Sequence, residues 1–315
     1  MVAQSEPLQV LCTKEPETLA ENIFSKTWTF LWRLFFNLFY WNGLWALFWS
    51  PCYYLLGFLH KRGTLVTKFM NYGYACPDEI DKKIFAKIEE KLQTEPEQHR
   101  NNIRLYEKTL SLCPKYPNDL KGLDYLEIAC GHGGGLEWME NAHAELASVT
   151  GLDRVLVVDN PNAIQGDGTA MPFESNSKDI VICVEATHAI NDAPKLLAEV
   201  RRVLKPGGYF LFSDLRPNDY LVDYTYQCGD QAGFKHICSE DITEGALLSR
   251  DQQHKQMQAD YGANWFTGLF MHTWWNIFWG VPGTALYRDL QLRKWIYMAV
   301  CWQMPIESKQ RLDGK

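Results

Sequence analysis

The 315-residue chain has no cysteines spaced like those of a zinc site or a disulfide framework. Its nine cysteines are scattered, none of them forms a C-x-x-C pair, and no asparagine stands in an N-x-S/T sequon. The spacing argues against a zinc-binding or disulfide-stapled fold, so we expect no metal site. Together these absences favour a reducing compartment.

Positive charge is also in short supply. The 31 Lys and Arg residues are outnumbered by 38 Asp and Glu residues, which gives a formal net charge of −7 at pH 7. A general nucleic-acid binder carries a basic face, so we expect no nucleic-acid partner. Hydrophobic residues make up 46% of the chain, which is ample for a buried core.

One segment near the N-terminus lacks charged residues altogether. No Asp, Glu, Lys or Arg occurs from Leu34 to Leu59, and about 20 apolar residues are enough for a helix to cross a bilayer. Five of the twelve Trp lie between Trp28 and Trp49, and a basic cluster follows at residues 60–62, as is typical of a membrane interface. We therefore predict that residues 27–63 associate with a membrane.

Three arrangements of this segment stay open: a spanning helix, a pair of short helices anchored in one leaflet, and a buried helix pair in a soluble protein. A single straight span is disfavoured by the polar and helix-breaking residues Asn37, Asn42, Gly43 and the Ser50–Pro51 step. If the segment spans, the basic residues after it place the catalytic domain in the cytoplasm. In a eukaryotic cell we expect the endoplasmic reticulum membrane.

The middle of the chain alternates between strand-like and helix-like segments. The predicted strands are LDYLEIAC, SVTGLD, AIQGD, DIVICVE and GYFLFSD, and the amphipathic helix LLAEVRRVL lies before the last of them. This alternation predicts an α/β fold, a parallel sheet with helices on both faces. A further strand, KWIYMAVCWQ, is predicted to close the sheet.

Glycines and carboxylates mark the candidate ligand site. Four glycines occupy five positions from Gly131 to Gly135, although each costs backbone entropy on folding, so they indicate another molecule close to the backbone. Acidic residues end successive predicted strands, namely Glu127, Asp153, Asp167 and Glu185. The G-H-G-G-G spacing and these acids disfavour a dinucleotide, whose pyrophosphate needs G-x-G-x-x-G. They suit a ligand with ribose, adenine and a positive charge, such as S-adenosylmethionine.

Several stretches together resemble one known family. They are EIACGHGGG, TGLD, GDGTAMPF, SKDIVICVEATHAI, LLAEVRRVLKPGGYFLFSDLRP and FWGVPGTALYRDL. They are similar to class I S-adenosylmethionine-dependent methyltransferases, and more narrowly to the phthiotriol/phenolphthiotriol dimycocerosates methyltransferase group, which methylates hydroxyls on long-chain lipids. Sterol C-methyltransferases are more distantly similar. The resemblance covers roughly residues 70–303 and implies a Rossmann-like class I methyltransferase sheet.

The resemblance also implies roles for individual residues. The implied cofactor-binding positions are Glu127, Ala129, Gly131 and Gly133 toward the methionine part, Asp153 at the ribose, and Asp167 with Gly168 beside the adenine. Glu185 is implied as a further cofactor-binding residue that, with His188, faces the methyl-transfer chamber. We predict His188 and Glu185 as catalytic. Histidine titrates near neutrality, so His188 is our candidate base for an alcohol acceptor; a purely local hydrogen-bonding role stays open.

One departure from the family lies between Asp153 and Asp167. Relatives carry a full helix there, whereas RVLVVDN can form at most about two turns. That helix covers the adenosine side of the pocket, so the shortened connection makes cofactor affinity a question for binding experiments.

We therefore predict six regions along the chain. They are a polar tail (1–26), a hydrophobic membrane-associating segment (27–63), a helical N-terminal region (64–119), an S-adenosylmethionine-binding core (120–216), an aromatic lid or acceptor region (217–283), and closing strands with a tail (284–315). Within the lid region, no charged residue occurs from Asn264 to Gly280, which is consistent with an acceptor tunnel or with a packed helix.

Three functions fit this sequence. The leading one is a membrane-associated enzyme that O-methylates a hydroxyl on a hydrophobic lipid, polyketide or isoprenoid acceptor. The second is C-methylation of a sterol or terpenoid, in which aromatic rings and Glu185 would stabilise a carbocation. The third is a membrane-anchored, non-catalytic methyltransferase-like protein.

Overall fold

The computed structural model describes residues 45–63, 68–190, 192–218, 220–262 and 280–306. The predicted polar tail, residues 27–44 of the predicted membrane-associating segment and residues 263–279 of the predicted lid lie outside the described residues. Within the ranges given, we find no helix with both the length and the apolar character needed to cross a membrane.

Helices precede the sheet, and strands then alternate with helices. The first four helices are α1 (Trp45–Lys61), α2 (Glu79–Phe85), α3 (Glu89–Thr94) and α4 (Glu97–Ser111). There follow β1 (Asp124–Ile128), α5 (Gly134–Ala142), β2 (Ser148–Asp153), β3 (Ala163–Gln165), β4 (Lys178–Val184), α6 (Ala193–Val203) and β5 (Leu204–Pro217). The remaining elements are α7 (Tyr220–Gln231), β6 (Lys235–Asp241), α8 (Thr243–Gly262), α9 (Ala285–Gln291) and β7 (Trp295–Gln303).

The seven strands form one sheet in the order β3-β2-β1-β4-β5-β7-β6. Strands β1 to β5 run parallel, while β7 lies antiparallel between β5 and β6. The predicted α/β class is confirmed, and the five strands predicted in the middle of the chain are β1 to β5. In such a sheet, ligands bind outside the carboxyl ends of the strands, where the strand order reverses. Here that point lies between β1 and β4.

Both faces of the sheet are buried, as expected for strands with continuous apolar runs. In β4, Ile180 and Ile182 contribute to one buried cluster with side chains of α4, whereas Val181 and Cys183 contribute to the other. That second cluster includes the buried face of α6, made of Leu196, Leu197, Val200 and Val203. Because side chains alternate along a strand, each strand joins two layers of helices.

The sequence of α6 explains where that helix begins. The Asp192 carboxylate caps it by accepting a hydrogen bond from the Lys195 amide at 3.0 Å, and Pro194 stands in the first turn. Both are common signals for a helix start, because the first amides of a helix lack partners within it. The helix ends directly into β5, which holds the two strands of this βαβ unit adjacent.

The predicted helical region 64–119 contains two short helices, α2 and α3, and the longer α4. One predicted element differs from the structure. The predicted lid region contains α7 and the edge strand β6, so β7 does not close the sheet but lies inside it. The sequence does not predict strand β6, because KHICSED is mostly exposed and lacks the regular alternation of apolar and polar residues.

A buried carboxylate fixes α4 against α5. Glu107 is fully buried; it accepts hydrogen bonds from Trp138 Nε1 at 2.7 Å and from Tyr116 Oη at 2.8 Å. His143 Nε2 lies 2.8 Å from the same carboxylate. A buried carboxylate needs such partners to offset its desolvation. The network therefore sets the position of α4, whose Tyr106 reaches the end of β1.

Candidate active site

Glu127 lies near the end of β1 with only 1% of its surface exposed. Tyr106 donates a hydrogen bond to its Oε1 at 2.8 Å, while Oε2 is buried and has no hydrogen-bond partner in the described part of the chain. Burial raises the pKa of Glu127 to about 8; the neighbouring Asp153 carboxylate adds to this rise, and the Tyr106 hydroxyl opposes it. A buried acceptor without a partner is costly, so it favours a ligand that donates a hydrogen bond.

The turn after β1 has a left-handed backbone. Gly131 has φ 55° and Gly133 has φ 79°, and the non-glycine Ala129 also has φ 58°. Left-handed backbone strains residues other than glycine, and such strain is often found at ligand sites.

The last two glycines of the turn accommodate the protein itself. A Cβ at Gly134 would lie 2.7 Å from the Lys68 carbonyl oxygen, and one at Gly135 would lie 2.3 Å from the Tyr106 ring. A Cβ at Gly131 would lie 2.7 Å from Met70 Cε, and one at Gly133 would lie 2.6 Å from Val158 Cγ2, so protein atoms approach all four glycines. That another molecule also approaches this turn stays a prediction.

Asp153, the last residue of β2, is tied to this turn. Its Oδ2 accepts a hydrogen bond from the Gly131 amide at 2.8 Å, and its Oδ1 accepts one from the Val155 amide at 2.7 Å. Burial raises the pKa of the Asp153 carboxyl. Each carboxylate oxygen can accept a further bond, so the side chain holds the turn and keeps capacity for a ligand hydroxyl.

The connection from Asp153 to β3 contains no helix among its residues 154–162, all of which the structure describes. Val157 packs on Gly57 of α1, where an added Cβ would lie 2.6 Å from Val157 Cγ1. Val158 packs in the same way on Gly133. Val157, Val158 and α1 thus cover the side of the site where the family resemblance implied a helix.

Asp167 and Gly168 lie at the same edge of the sheet. The β2–β3 register aligns Asp153 with Gln165, which places Asp167 just beyond the paired residues. Partial burial alone would raise the pKa of Asp167, but the amide and hydroxyl of Thr169, which both donate to Oδ1, lower it. A Cβ at Gly168 would lie 3.1 Å from Ile128, so the backbone there packs tightly on β1.

Glu185 follows β4 with a left-handed backbone, φ 52°. Its Oε1 accepts hydrogen bonds from the Tyr72 amide at 2.6 Å and from Tyr297 Oη at 2.5 Å. Burial raises the pKa of Glu185 to about 7; Tyr297 and the Tyr72 amide oppose this rise, Asp214 adds to it, and Arg250 opposes it. The carboxylate is therefore fixed and close to its titration point at neutral pH.

His188 lies in a short 3₁₀ turn, Thr187–Ala189, and pairs with the buried Asp214 of β5. Its Nδ1 lies 2.8 Å from Asp214 Oδ1, and its backbone amide donates to Oδ2 at 2.9 Å. Burial alone would lower the pKa of His188, but Asp214 outweighs it, so the pKa lies above the usual 6.5. With Nδ1 facing a carboxylate, Nε2 is the nitrogen that can accept a proton.

Sequence reasoning missed the partners of these side chains. Asp214, which was not among the predicted site residues, lies near the end of β5 beside β4 and thereby reaches His188. The adjacency of β4 and β5 was the signal that could have identified it. Tyr72, Tyr106 and Tyr297 come from distant parts of the chain and carry no local signal.

The residues at the site fit S-adenosylmethionine. Glu127 Oε2 is a buried acceptor suited to an ammonium group, and the Asp153 carboxylate has capacity for ribose hydroxyls. Both bonds from Thr169 go to Asp167 Oδ1, so Oδ2 can accept from an adenine amino group. A cationic ligand also matches the accumulation of carboxylates, which would repel phosphates.

Comparisons with known proteins agree with this chemistry. A family model described as "Methyltransferase domain" matches residues 126–212. The chain is 32% identical over 266 residues to the phthiotriol/phenolphthiotriol dimycocerosates methyltransferase of Mycobacterium leprae (strain TN), covering 78% of this chain and 86% of the relative. A fatty-acid O-methyltransferase of Mycolicibacterium smegmatis (strain ATCC 700084 / mc(2)155) is 35% identical over 172 residues, with 51% of this chain and 58% of the relative covered.

The fold itself is shared more widely. The crystal structure of the cyclase SpnF superposes with a TM-score of 0.55 at 15% identity, covering 81% of this chain and 94% of that one. A similarity at this level shows the fold alone, since one fold hosts many chemistries. It is the long match to the curated methyltransferase that assigns the family. The chain therefore belongs to the S-adenosylmethionine-dependent methyltransferases, in the family of the phthiotriol/phenolphthiotriol dimycocerosates methyltransferases.

Proposed function

We propose that this enzyme transfers the methyl group of S-adenosylmethionine to a hydroxyl group on a hydrophobic, lipid-like acceptor. The observation that carries the proposal is the His188–Asp214 pair, in which Nδ1 faces a buried carboxylate at 2.8 Å and Nε2 remains for the acceptor. An alcohol needs a base to take its proton, and histidine held in this way is suited to that role. The names of two relatives, which refer to phthiotriol and to fatty-acid O-methylation, support the acceptor class.

The carboxylates at the strand ends hold the cofactor in this proposal. Glu127 binds the ammonium group, Asp153 the ribose and Asp167 the adenine, while Ala129, Gly131, Gly133 and Gly168 shape the backbone around them. When bound, S-adenosylmethionine supplies a methyl group on a positively charged sulfur, which makes that carbon electrophilic.

His188 provides the proton acceptor. His188 Nε2 would take the hydroxyl proton of an acceptor alcohol, while the bound cofactor would supply the methyl group to the acceptor oxygen. Asp214 stabilises the imidazolium that results, as a buried carboxylate does for a histidine base. Glu185, fixed by Tyr72 and Tyr297, borders the same chamber and orients the acceptor.

Association with a membrane is part of the proposal, because the acceptor is sparingly soluble. The uncharged run from Leu34 to Leu59 and the exposed Tyr54, Leu55 and Phe58 of α1 support it. The catalytic domain would then lie on the cytoplasmic side, at the endoplasmic reticulum if the cell is eukaryotic.

C-methylation of a sterol or terpenoid is the alternative, and one arrangement favours it. The Glu185 carboxylate lies against Tyr297, whose ring is 6.2 Å from that of Tyr72, and such a group could stabilise a carbocation. In that reaction the base would remove a proton from carbon after methyl transfer.

The experiment is incubation of the full-length protein with lipid extracts and S-adenosylmethionine carrying a ¹³C-labelled methyl group. The expected result is a labelled lipid whose methyl resonance in NMR lies in the O-methyl range. A labelled methyl in the C-methyl range supports the alternative. Asp153→Ala is the matched control, because it removes the carboxylate proposed to bind the ribose and should strongly reduce labelling. No labelled lipid with the wild-type protein would contradict both versions.

A further inference from the structure

Helix α1 has two distinct faces. Leu56 and Gly57 are buried, and His60 lies one turn further along the same side. The opposite side exposes Pro51, Tyr54, Leu55 and Phe58, spaced at three and four residues as expected for one stripe of a helix. One face therefore packs on the protein, while the other presents apolar side chains outward.

The buried face contacts the cofactor-binding turn. The His60 ring stacks on the His132 ring with centroids 4.0 Å apart and an interplanar angle of 19°. Gly57 packs against Val155 and Val157, which lie in the connection after Asp153. Through these contacts α1 touches both segments that flank the Gly131–Asp153 hydrogen bond of 2.8 Å.

The outward face has the chemistry of a membrane interface. Tyr54 is 54% exposed, Leu55 53% and Phe58 49%, which is unusual for large apolar side chains on neighbouring positions of a helix. Lys61 and Arg62 are exposed at the end of this face, and the Arg62 guanidinium lies 4.2 Å from the centre of the Phe58 ring. Aromatic residues next to basic ones favour a lipid surface with anionic headgroups.

We infer that α1 lies on an anionic lipid surface through Tyr54, Leu55 and Phe58 and thereby couples lipid binding to cofactor binding. The inference rests on the proposed membrane association and adds a regulatory role to it. Lipid on the outward face holds the inward face against the turn that carries Gly131 and His132. A turn held in its binding conformation loses less entropy when the cofactor binds, so its affinity rises.

The coupling must be reciprocal. If a lipid surface raises the affinity for the cofactor by some factor, the cofactor raises the affinity for the surface by the same factor. Typical couplings between two sites amount to about fivefold or more. The two effects are measured independently, and neither requires turnover.

The experiment is isothermal titration of S-adenosylhomocysteine into the full-length protein, first without lipid and then with vesicles containing phosphatidylglycerol. We expect the Kd to fall about fivefold or more on the anionic vesicles, and sedimentation with vesicles to increase in parallel when the ligand is present. Vesicles of phosphatidylcholine alone should have a smaller effect, because Lys61 and Arg62 then lack anionic partners.

Three variants separate the two faces. The triple change Tyr54→Ser, Leu55→Ser and Phe58→Ser should leave the lipid-free Kd unchanged and abolish the effect of vesicles. His60→Ala keeps the outward face but removes the ring stack, so the protein should still sediment with vesicles while the Kd no longer responds. Leu292→Ser, which changes another exposed leucine, should behave as the wild type.

The outcomes distinguish this inference from the proposed function. A Kd that does not respond to anionic vesicles, in a protein that still methylates its acceptor, overturns the coupling alone. A response that survives in the triple variant assigns the lipid contact elsewhere and overturns the role of α1. Absence of any S-adenosylhomocysteine binding contradicts the proposed function instead.

Discussion

Asp214 Oδ1 lies 2.8 Å from Nδ1 of His188, and Asp214 Oδ2 accepts the backbone amide of the same residue at 2.9 Å. One buried carboxylate thus fixes both the ring and the backbone of a histidine on the neighbouring strand's loop. Arg216 Nη1 also lies 3.1 Å from Asp214 Oδ2, and burial alone would raise the pKa of this carboxyl, but His188 and then Arg216 lower it below its usual range. The Asp214 carboxylate is therefore ionised, and it orients the His188 ring before any acceptor arrives.

Replacement of His188 by Ala should lower kcat by roughly 10²–10⁴, the usual contribution of a general base. In the wild type, kcat should rise with pH through the pKa of His188, which lies above 6.5, because only the neutral ring accepts a proton. Asp214→Asn removes the carboxylate that raises this pKa, so the rising limb should move to lower pH while kcat falls. Initial rates between pH 5 and 9 measure both effects.

His236→Ala is the control for these rates, because His236 is an exposed histidine of β6 away from the pair. Its pH profile should match that of the wild type. A rising limb that stays in place in Asp214→Asn would show that another group titrates in the wild-type profile.

Affinity for S-adenosylhomocysteine should increase with pH between 6 and 8. Glu127, with a pKa of about 8, is largely protonated at pH 7 in the ligand-free protein, and an ammonium group binds its ionised form. Binding therefore releases a proton, and the Kd should improve by up to about tenfold per pH unit over this range. Titration calorimetry in two buffers of different ionisation enthalpy measures the released proton.

Glu127→Gln should flatten this pH dependence, whereas Asp153→Asn should weaken binding by about 1.5–3 kcal/mol and keep the slope.

The pH dependence of stability offers an independent check on the pKa of Glu127. A carboxyl whose pKa is raised from 4.5 to about 8 in the folded state makes the fold less stable as pH rises from 4.5 to about 8, with no further loss above that range. In the wild type, Tm should therefore fall over this pH range, and Glu127→Gln should remove the part of the fall that is due to Glu127. An equal fall of Tm in the variant would contradict the raised pKa of Glu127.

Gly135→Ala should destabilise the protein by about 1–3 kcal/mol, the usual cost of overpacking. The new Cβ would lie 2.3 Å from the Tyr106 ring, which the hydrogen bond to Glu127 holds in place. Urea unfolding followed by circular dichroism measures the change.

A double-mutant cycle tests whether Tyr106 is the cause. In a Tyr106→Ala background the ring is absent, so Gly135→Ala should lower the free energy of unfolding far less than it does in the wild type. Additive costs would contradict the steric explanation. Glu137→Ala, on the exposed side of the same helix, should be close to neutral.

The central sheet was predictable because its strands are buried on both faces. Continuous apolar runs such as IVICV in β4 leave little alternative to a parallel strand. The acidic residues Glu127 and Asp153 were also predictable, since each marks where such a run ends. Edge strand β6 could not be predicted in this way, because most of its side chains are exposed and its sequence therefore carries no run of apolar residues.

The contacts that tune the site could not be predicted, because they join distant residues. Glu185 was predicted, yet the groups that hold it, Tyr72 and Tyr297, are separated from it by 113 and 112 residues. No local pattern in the sequence predicts these two long-range hydrogen bonds. His188 was predicted from the family resemblance and from its titration range, whereas its orientation depends on Asp214, a residue of the next strand.

The valine-lined connection after β2 bears on how the catalytic half is prepared for study. A fragment that begins after residue 63 would retain all seven strands and each carboxylate of the site, but Val155 and Val157 would lose Gly57 as their cover. Water would then reach the ribose side of Asp153 from a direction that is closed in the longer chain. Cofactor affinities measured on such a fragment would understate those of the intact enzyme.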